Sequence, residues 1–164
     1  MRIFLDGCDG TGKSTLATYL SERFKIDKFC LTKDSKKSIP RYMEVMKTDD
    51  VVYDRTFLSE VVYPSVFGRE DWLSEMQVDK LVEYYKEAGL FVICTAEVKD
   101  IQQRILRRGA EHLEVIKNID KINAQYVEIA KKYNLIVVDT SIIDFKTIGD
   151  YIEKEIRNGR HQSK

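Results

Sequence analysis

A three-layer α/β sandwich, with helices on both faces of a mostly parallel five-stranded sheet, is the fold that three observations predict. The chain opens with a short apolar run, a glycine-rich turn and then a helical pattern. Four further apolar runs of strand length follow, separated by stretches of helical periodicity. Strands that alternate with helices in this way are joined by right-handed crossovers and pair in parallel. No internal repeat, linker or low-complexity segment interrupts the 164 residues, so one domain spanning 1–164 is expected.

The first run, Arg2-Ile3-Phe4-Leu5-Asp6, is apolar enough for a buried strand. Gly7-Cys8-Asp9-Gly10-Thr11-Gly12-Lys13-Ser14-Thr15 then spells Gly-x-x-x-x-Gly-Lys-Ser, the phosphate-binding loop known as Walker A. Its glycines let backbone N–H groups turn inward to meet phosphate oxygens. A helix from Lys13 to about Phe24 adds its positive dipole end to the same place. Lys13 is expected to reach the β- and γ-phosphates of a nucleoside triphosphate, with the Ser14 hydroxyl on Mg²⁺. The nucleotide-binding set is therefore Gly7, Asp9, Gly10, Thr11, Gly12, Lys13, Ser14 and Thr15.

Phe29-Cys30-Leu31-Thr32 is the second strand candidate, followed by a polar loop over 33–38 and a helix begun by Pro40 and reaching Lys47. Asp50-Val51-Val52-Tyr53-Asp54-Arg55 is an apolar strand ending in a carboxylate, the form of a Walker B element. Ligands of open parallel sheets sit beyond such strand ends. Asp54 is accordingly a metal-site candidate and Arg55 a phosphate-gripping one. Thr56–Phe67 and Asp71–Ala88 read as helices, the second closed by Gly89, with Leu73, Met76, Leu81, Val82 and Tyr85 on its core side. Leu90–Thr95 has the continuous apolar character of a central parallel strand. Lys99–Arg108 is helical and basic, gathering Arg104, Arg107 and Arg108 before Gly109. Ile116, Ile119, Asn123, Tyr126, Ile129, Ala130 and Tyr133 recur at helical spacing and suit the core. Leu135–Asp139 is the fifth strand, and Asp144–Arg157 the last helix, with a frayed tail from Asn158.

Composition narrows the partners. Lys plus Arg and Asp plus Glu number 27 each, so no global field draws the chain to nucleic acid or an anionic membrane. No apolar run approaches membrane-spanning length, and the first segment reads as a core strand rather than a signal peptide. Cys8, Cys30 and Cys94 form no Cys-x-x-Cys pair, which suits reduced thiols in the cytoplasm, a host's if the source is viral. Cys8 within the loop reads as small filler. The chain lacks the Asn-Lys-x-Asp string of guanine-selective GTPases and is small for a motor ATPase. Arginines both early and late suggest phosphates held from two sides, as in transfer between two phosphorylated molecules.

At this level the chain resembles the thymidylate kinases and their deoxynucleoside-kinase relatives. The opening Ile3–Thr15 is similar to their apolar-apolar-Glu-Gly-x-Asp-Gly-x-Gly-Lys-[Ser/Thr]-Thr. Asp54-Arg55-Thr56-Phe57-Leu58-Ser59-Glu60-Val61-Val62-Tyr63 resembles their Asp-Arg-x-x-x-Ser-x-x-x-Tyr. Arg104 through Glu114 is similar to their lid, here about 99–114, and Val137-Val138-Asp139-Thr140 to a late strand. The resemblance implies a P-loop kinase of nucleotide biosynthesis, using ATP and Mg²⁺ to phosphorylate a deoxynucleoside monophosphate. It places Arg55 on the acceptor 5′-phosphate, Asp9 near the sugar or metal, and Tyr63 beneath the deoxyribose, with Ser59 and Glu60 beside them. Members with glycine after the loop acid, as Gly10 is here, use lid arginines, so Arg104, Arg107 or Arg108 would close over the phosphates. Relatives often dimerise through helices flanking the sheet.

The departures are specific. The segment between the loop helix and Asp54 is several tens of residues shorter than usual and lacks the Arg-x-Pro-Gly-Gly loop with a base-contacting arginine. Glu60 stands where an uncharged side chain often reads a pyrimidine, and favours a base edge that donates hydrogen bonds. His112 replaces a lid aspartate. Asp6 occupies the position of the acid that accepts the 5′-hydroxyl proton in nucleoside kinases, which leaves that activity open. A kinase acting on a nucleotide within a polynucleotide, and a non-catalytic nucleotide-binding module, are also compatible with the motifs.

Overall fold

A computed structural model describes residues 1–31, 38–44, 47–70, 73–109 and 113–158. Its strands are β1 (Arg2–Gly7), β2 (Asp27–Cys30), β3 (Val51–Asp54), β4 (Leu90–Thr95) and β5 (Ile136–Asp139). They form one sheet in the order β2-β3-β1-β4-β5, and every neighbouring pair is parallel. Side chains alternate across it with the period of a strand. Ile3 and Leu5 face one layer, where Leu16, Ala17 and Leu20 of α1 (Lys13–Phe24) and Ile148 and Ile152 of α8 (Phe145–Arg157) complete a core. Phe4 faces the other, packed with Phe57, Tyr85 and Phe91 beside the helices α3 (Ser59–Phe67), α4 (Glu75–Ala88) and α7 (Ile119–Tyr133). The three layers expected from the sequence are present.

β1 is central; the chain runs from it to the edge strand β2, returns to β3 beside β1, and then crosses to β4 on the other side. That reversal opens a crevice at the carboxyl ends of β1, β3 and β4, the place where parallel sheets bind ligands.

Several boundaries differ from those read in the sequence. β2 begins two residues earlier and is exposed throughout, because a polar edge strand carries no apolar run to mark it; Thr32 and the loop residues 33–37 lie outside the described residues. The helix expected from Pro40 to Lys47 is α2 (Ile39–Glu44), with 45–46 likewise outside. α3 starts at Ser59 rather than Thr56, since the Thr56 hydroxyl accepts the Leu58 N–H at 3.2 Å and holds 56–58 in a turn. α4 starts at Glu75 behind a Ser74–Gln77 capping box, Asp71 lying outside the described residues. Met76 is exposed on the solvent side instead of in the core. α5 (Val98–Leu106) ends two residues early, and the continuous helix expected over 116–133 is broken at Asn118 into α6 (Leu113–Lys117) and α7.

Candidate active site

The loop between β1 and α1 curls over the carboxyl edge of the sheet. Gly7 holds φ 148° with its α-carbon against β4, and a methyl group there would meet the Cys94 carbonyl at 2.2 Å. Gly10 and Gly12 also keep positive φ. Inside the curl, Thr11 Oγ1 donates to the Cys8 carbonyl at 2.7 Å and the Lys13 ammonium donates to the same oxygen at 3.2 Å. Lys13 is buried, while Ser14 and Thr15 are exposed on the first turn of α1, whose free N–H groups face the loop. Burial pushes the Cys8 thiol up to about 12, so this cysteine is the filler expected.

Asp9 is the electrostatic centre. Its Oδ1 lies 2.7 Å from the Arg55 guanidinium and 3.5 Å from the Lys13 ammonium. Burial acts to raise its pKa, but the charges of Lys13 and Arg55 outweigh it and hold the carboxyl below its ordinary value. The Asp9 N–H donates to the Tyr63 hydroxyl at 3.1 Å, so the loop rests on α3. Arg55 has φ 89°, an uncommon state for a residue with a side chain. Burial would lower its pKa, and Asp9 and then Asp6 overcome that and raise it, so Arg55 stays charged.

Asp6, which its sequence position suggests as a base for a sugar hydroxyl, is engaged by protein donors on both oxygens. Its side chain is fully buried. One oxygen accepts from the Gly7 N–H at 2.8 Å and the Tyr126 hydroxyl at 3.0 Å. The other accepts from the Thr56 N–H at 2.9 Å and the Thr56 hydroxyl at 2.5 Å. Four donors occupy the carboxylate and leave it no open face.

On the far side of the loop, Arg104 donates to the Gly10 carbonyl at 3.2 Å and to Thr140 Oγ1 at 3.1 Å. Thr140 in turn donates to the Thr11 carbonyl at 2.6 Å. Arg104 is thus the arginine of this stretch whose side chain sits against the loop. Arg107 and Arg108 follow the end of α5 and are exposed. Ala110, Glu111 and His112 lie outside the described residues.

On the acceptor side, Ser59 is buried and its hydroxyl donates to the Thr56 carbonyl at 3.1 Å, so it is used in the turn before α3. Glu60 and Tyr63, three residues apart, share a face of α3. Asp54 closes β3 beside β1. The exposed Ser14 hydroxyl and the Asp54 carboxylate are hard oxygen donors of the kind Mg²⁺ takes alongside phosphate oxygens. Three contributors escaped sequence reasoning. Thr56 and Thr140 were visible only as neighbours in matched motifs, and Tyr126 only as one of a core stripe.

No protein-family model matches the chain. It is similar to a probable thymidylate kinase 1 of Saccharolobus solfataricus, 22% identical over 85% of this chain and 88% of the relative. Among solved structures, the YorR protein of Bacillus subtilis in complex with phosphorylated GDP superposes with a TM-score of 0.80 at 24% identity over the full length of both chains. Deoxyadenosine kinase from M. mycoides with bound dCTP gives 0.64 at 18% identity, over 96% of this chain and all of the other. No helix among the described residues is long and apolar enough to cross a membrane.

Proposed function

We infer that this chain, a thymidylate kinase-like P-loop kinase, transfers the γ-phosphoryl group of ATP to the 5′-phosphate of a deoxynucleoside monophosphate in the cytoplasm. The observation that carries this reading is Arg55, a partly buried guanidinium set over the phosphate loop on a left-handed backbone. Such a conformation costs about 1–3 kcal/mol and persists only where the surroundings enforce it. Asp9 engages one edge of the guanidinium, and its other donors can grip a phosphate bidentately. An acceptor that brings its own phosphate fits this cation; a bare hydroxyl does not.

The residues divide the work. Lys13 and the first-turn N–H groups of α1 hold the donor's phosphates, and Arg104, braced by Thr140, lies against the outer wall of the loop. Arg55 holds the acceptor phosphate in line on the opposite side. Ser14 and Asp54 would hold Mg²⁺, which when bound neutralises charge on the phosphates. The chain supplies alignment and charge, the two things phosphoryl transfer chiefly needs. The four donors on Asp6 weigh against the nucleoside-kinase reading, which would use that carboxylate as its base.

For the base, the Glu60 carboxylate on α3 suits a base edge that donates hydrogen bonds, and guanine presents N1–H and N2–H side by side. The fold neighbour crystallised with phosphorylated GDP supports the same choice. The test is ADP release from Mg-ATP across deoxynucleosides and their 5′-monophosphates, with Lys13→Ala as blank. Turnover confined to monophosphates, dGMP fastest, is expected. Turnover on unphosphorylated nucleosides would overturn the assignment of Arg55.

A further inference from the structure

Three residues that touch neither phosphate nor base in this reading are tied to Arg55 from behind. The Arg55 N–H donates to the Leu5 carbonyl at 2.9 Å, extending the β1–β3 ladder by one residue. The backbone then turns through the left-handed state at Arg55, and the next N–H, that of Thr56, is caught by the Asp6 carboxylate at 2.9 Å. The peptide groups on either side of the strained residue are therefore both anchored on β1. The Thr56 hydroxyl doubles the attachment to Asp6 at 2.5 Å and accepts the Leu58 N–H at 3.2 Å. The opposite oxygen of Asp6 is held by the Tyr126 hydroxyl at 3.0 Å, from α7 in the helical layer over the Phe4 side of the sheet. Asp6, Thr56 and Tyr126 are all buried, so each of these bonds is made out of reach of competing water.

An unsupported arginine would leave φ 89° for the β or right-handed region, and its guanidinium would swing off the loop. We propose that Asp6, Thr56 and Tyr126 are positioning residues, which lock the left-handed turn at Arg55 and so aim its guanidinium at the acceptor phosphate. The carboxylate at position 6 is an anchor for the backbone of the acceptor-binding arginine, and the hydroxyl of a helix on another part of the sheet completes it. This deepens the reading of Arg55 given above and rests on it.

Thr56→Val is the most selective probe, since it keeps the N–H and the volume and removes only the hydroxyl. Loss of a buried hydrogen bond to a charged group corresponds to about a tenfold effect. The expected result is an acceptor KM raised about tenfold with the KM for ATP changed less than about twofold, and recovery in Thr56→Ser. Tyr126→Phe should move the same constant by less, because it acts on the opposite oxygen. Equal effects on both KM values, or no recovery with serine, would mark the network as general scaffolding and overturn the proposal. A second measurement is independent of turnover: crystal structures of the wild type and Asp6→Asn compared at residue 55. The asparagine must present an N–H₂ to at least one donor pair, so φ at Arg55 is expected to leave the left-handed region. If φ stays near its wild-type value, the proposal fails whatever the enzyme's substrate. A wild type silent on every monophosphate, with the backbone shift present in Asp6→Asn, would overturn the reading of the acceptor alone.

Discussion

Arg55 combines a fixed backbone with a planar fork, and a lysine could reproduce neither the bidentate grip nor the number of donors. Arg55→Lys is expected to lower kcat/KM for the monophosphate about 100-fold, which is about 2.7 kcal/mol, and to leave the KM for ATP nearly unchanged. Asp9, beside it, sets an acid limit. Its folded pKa is depressed by Lys13 and Arg55, so its share of stability is present above the unfolded carboxylate value of about 3.9 and lost as pH falls through the lower folded value. In thermal denaturation followed against pH, Asp9→Asn should flatten that acid limb; an unaltered limb would mean that the pair is not stabilising. The cysteines test burial directly. Cys30 is exposed, whereas Cys8 and Cys94 are buried with thiols pushed up to about 12, so a neutral alkylating reagent should label one thiol in the native protein and three after denaturation. At this scale the sequence exposed residues that belong to contiguous motifs, Lys13 and Arg55 among them. It hid pairings between distant positions: Asp6 and Tyr126 are 120 residues apart, and no spacing rule connects them.

The elements differ in how plainly their residues announce them. β4 is a continuous apolar run and was legible to the residue; β2 is an exposed polar edge whose pairing with β3 alone makes it a strand. The start of α8 was legible, where Asp144 accepts the Thr147 N–H at 2.9 Å. That of α4 was placed too early, although Ser74 accepts the Gln77 N–H while Gln77 accepts the Ser74 N–H at 2.8 Å. Ser74→Ala should cost about 1 kcal/mol in denaturant unfolding with both KM values unchanged. A change in either constant would mean that loss of the cap reaches the site through the core that Tyr85 of α4 shares with Phe57. Gly89 closes α4 for a reason invisible in sequence. Its φ of −178° is extended, not left-handed, and the glycine is required because a methyl group would lie 2.4 Å from the Arg2 carbonyl on β1.

Across the whole molecule, alternation of strands and helices gave the three layers, but the strand order needed long-range contacts that the local pattern does not encode. That order puts the phosphate loop between both helical layers. The loop is joined to β1 and α1 by the chain, to α3 by Tyr63, to α5 by Arg104 and to the residue after β5 by Thr140. A ligand in the loop therefore binds a surface that exists only when all of these elements are docked, and unfolding of either layer must release it. Binding to the native state alone stabilises by RT ln(1 + [L]/Kd), about 2.7 kcal/mol at 100 times Kd. For a chain of this size, that corresponds to an unfolding midpoint raised by about 5–10 °C. Mg-ATP at saturation should produce this shift as a single cooperative transition, and Lys13→Ala should abolish most of it. Two transitions, only one of them moving with nucleotide, would show that the layers unfold separately and that the loop is tied to just one.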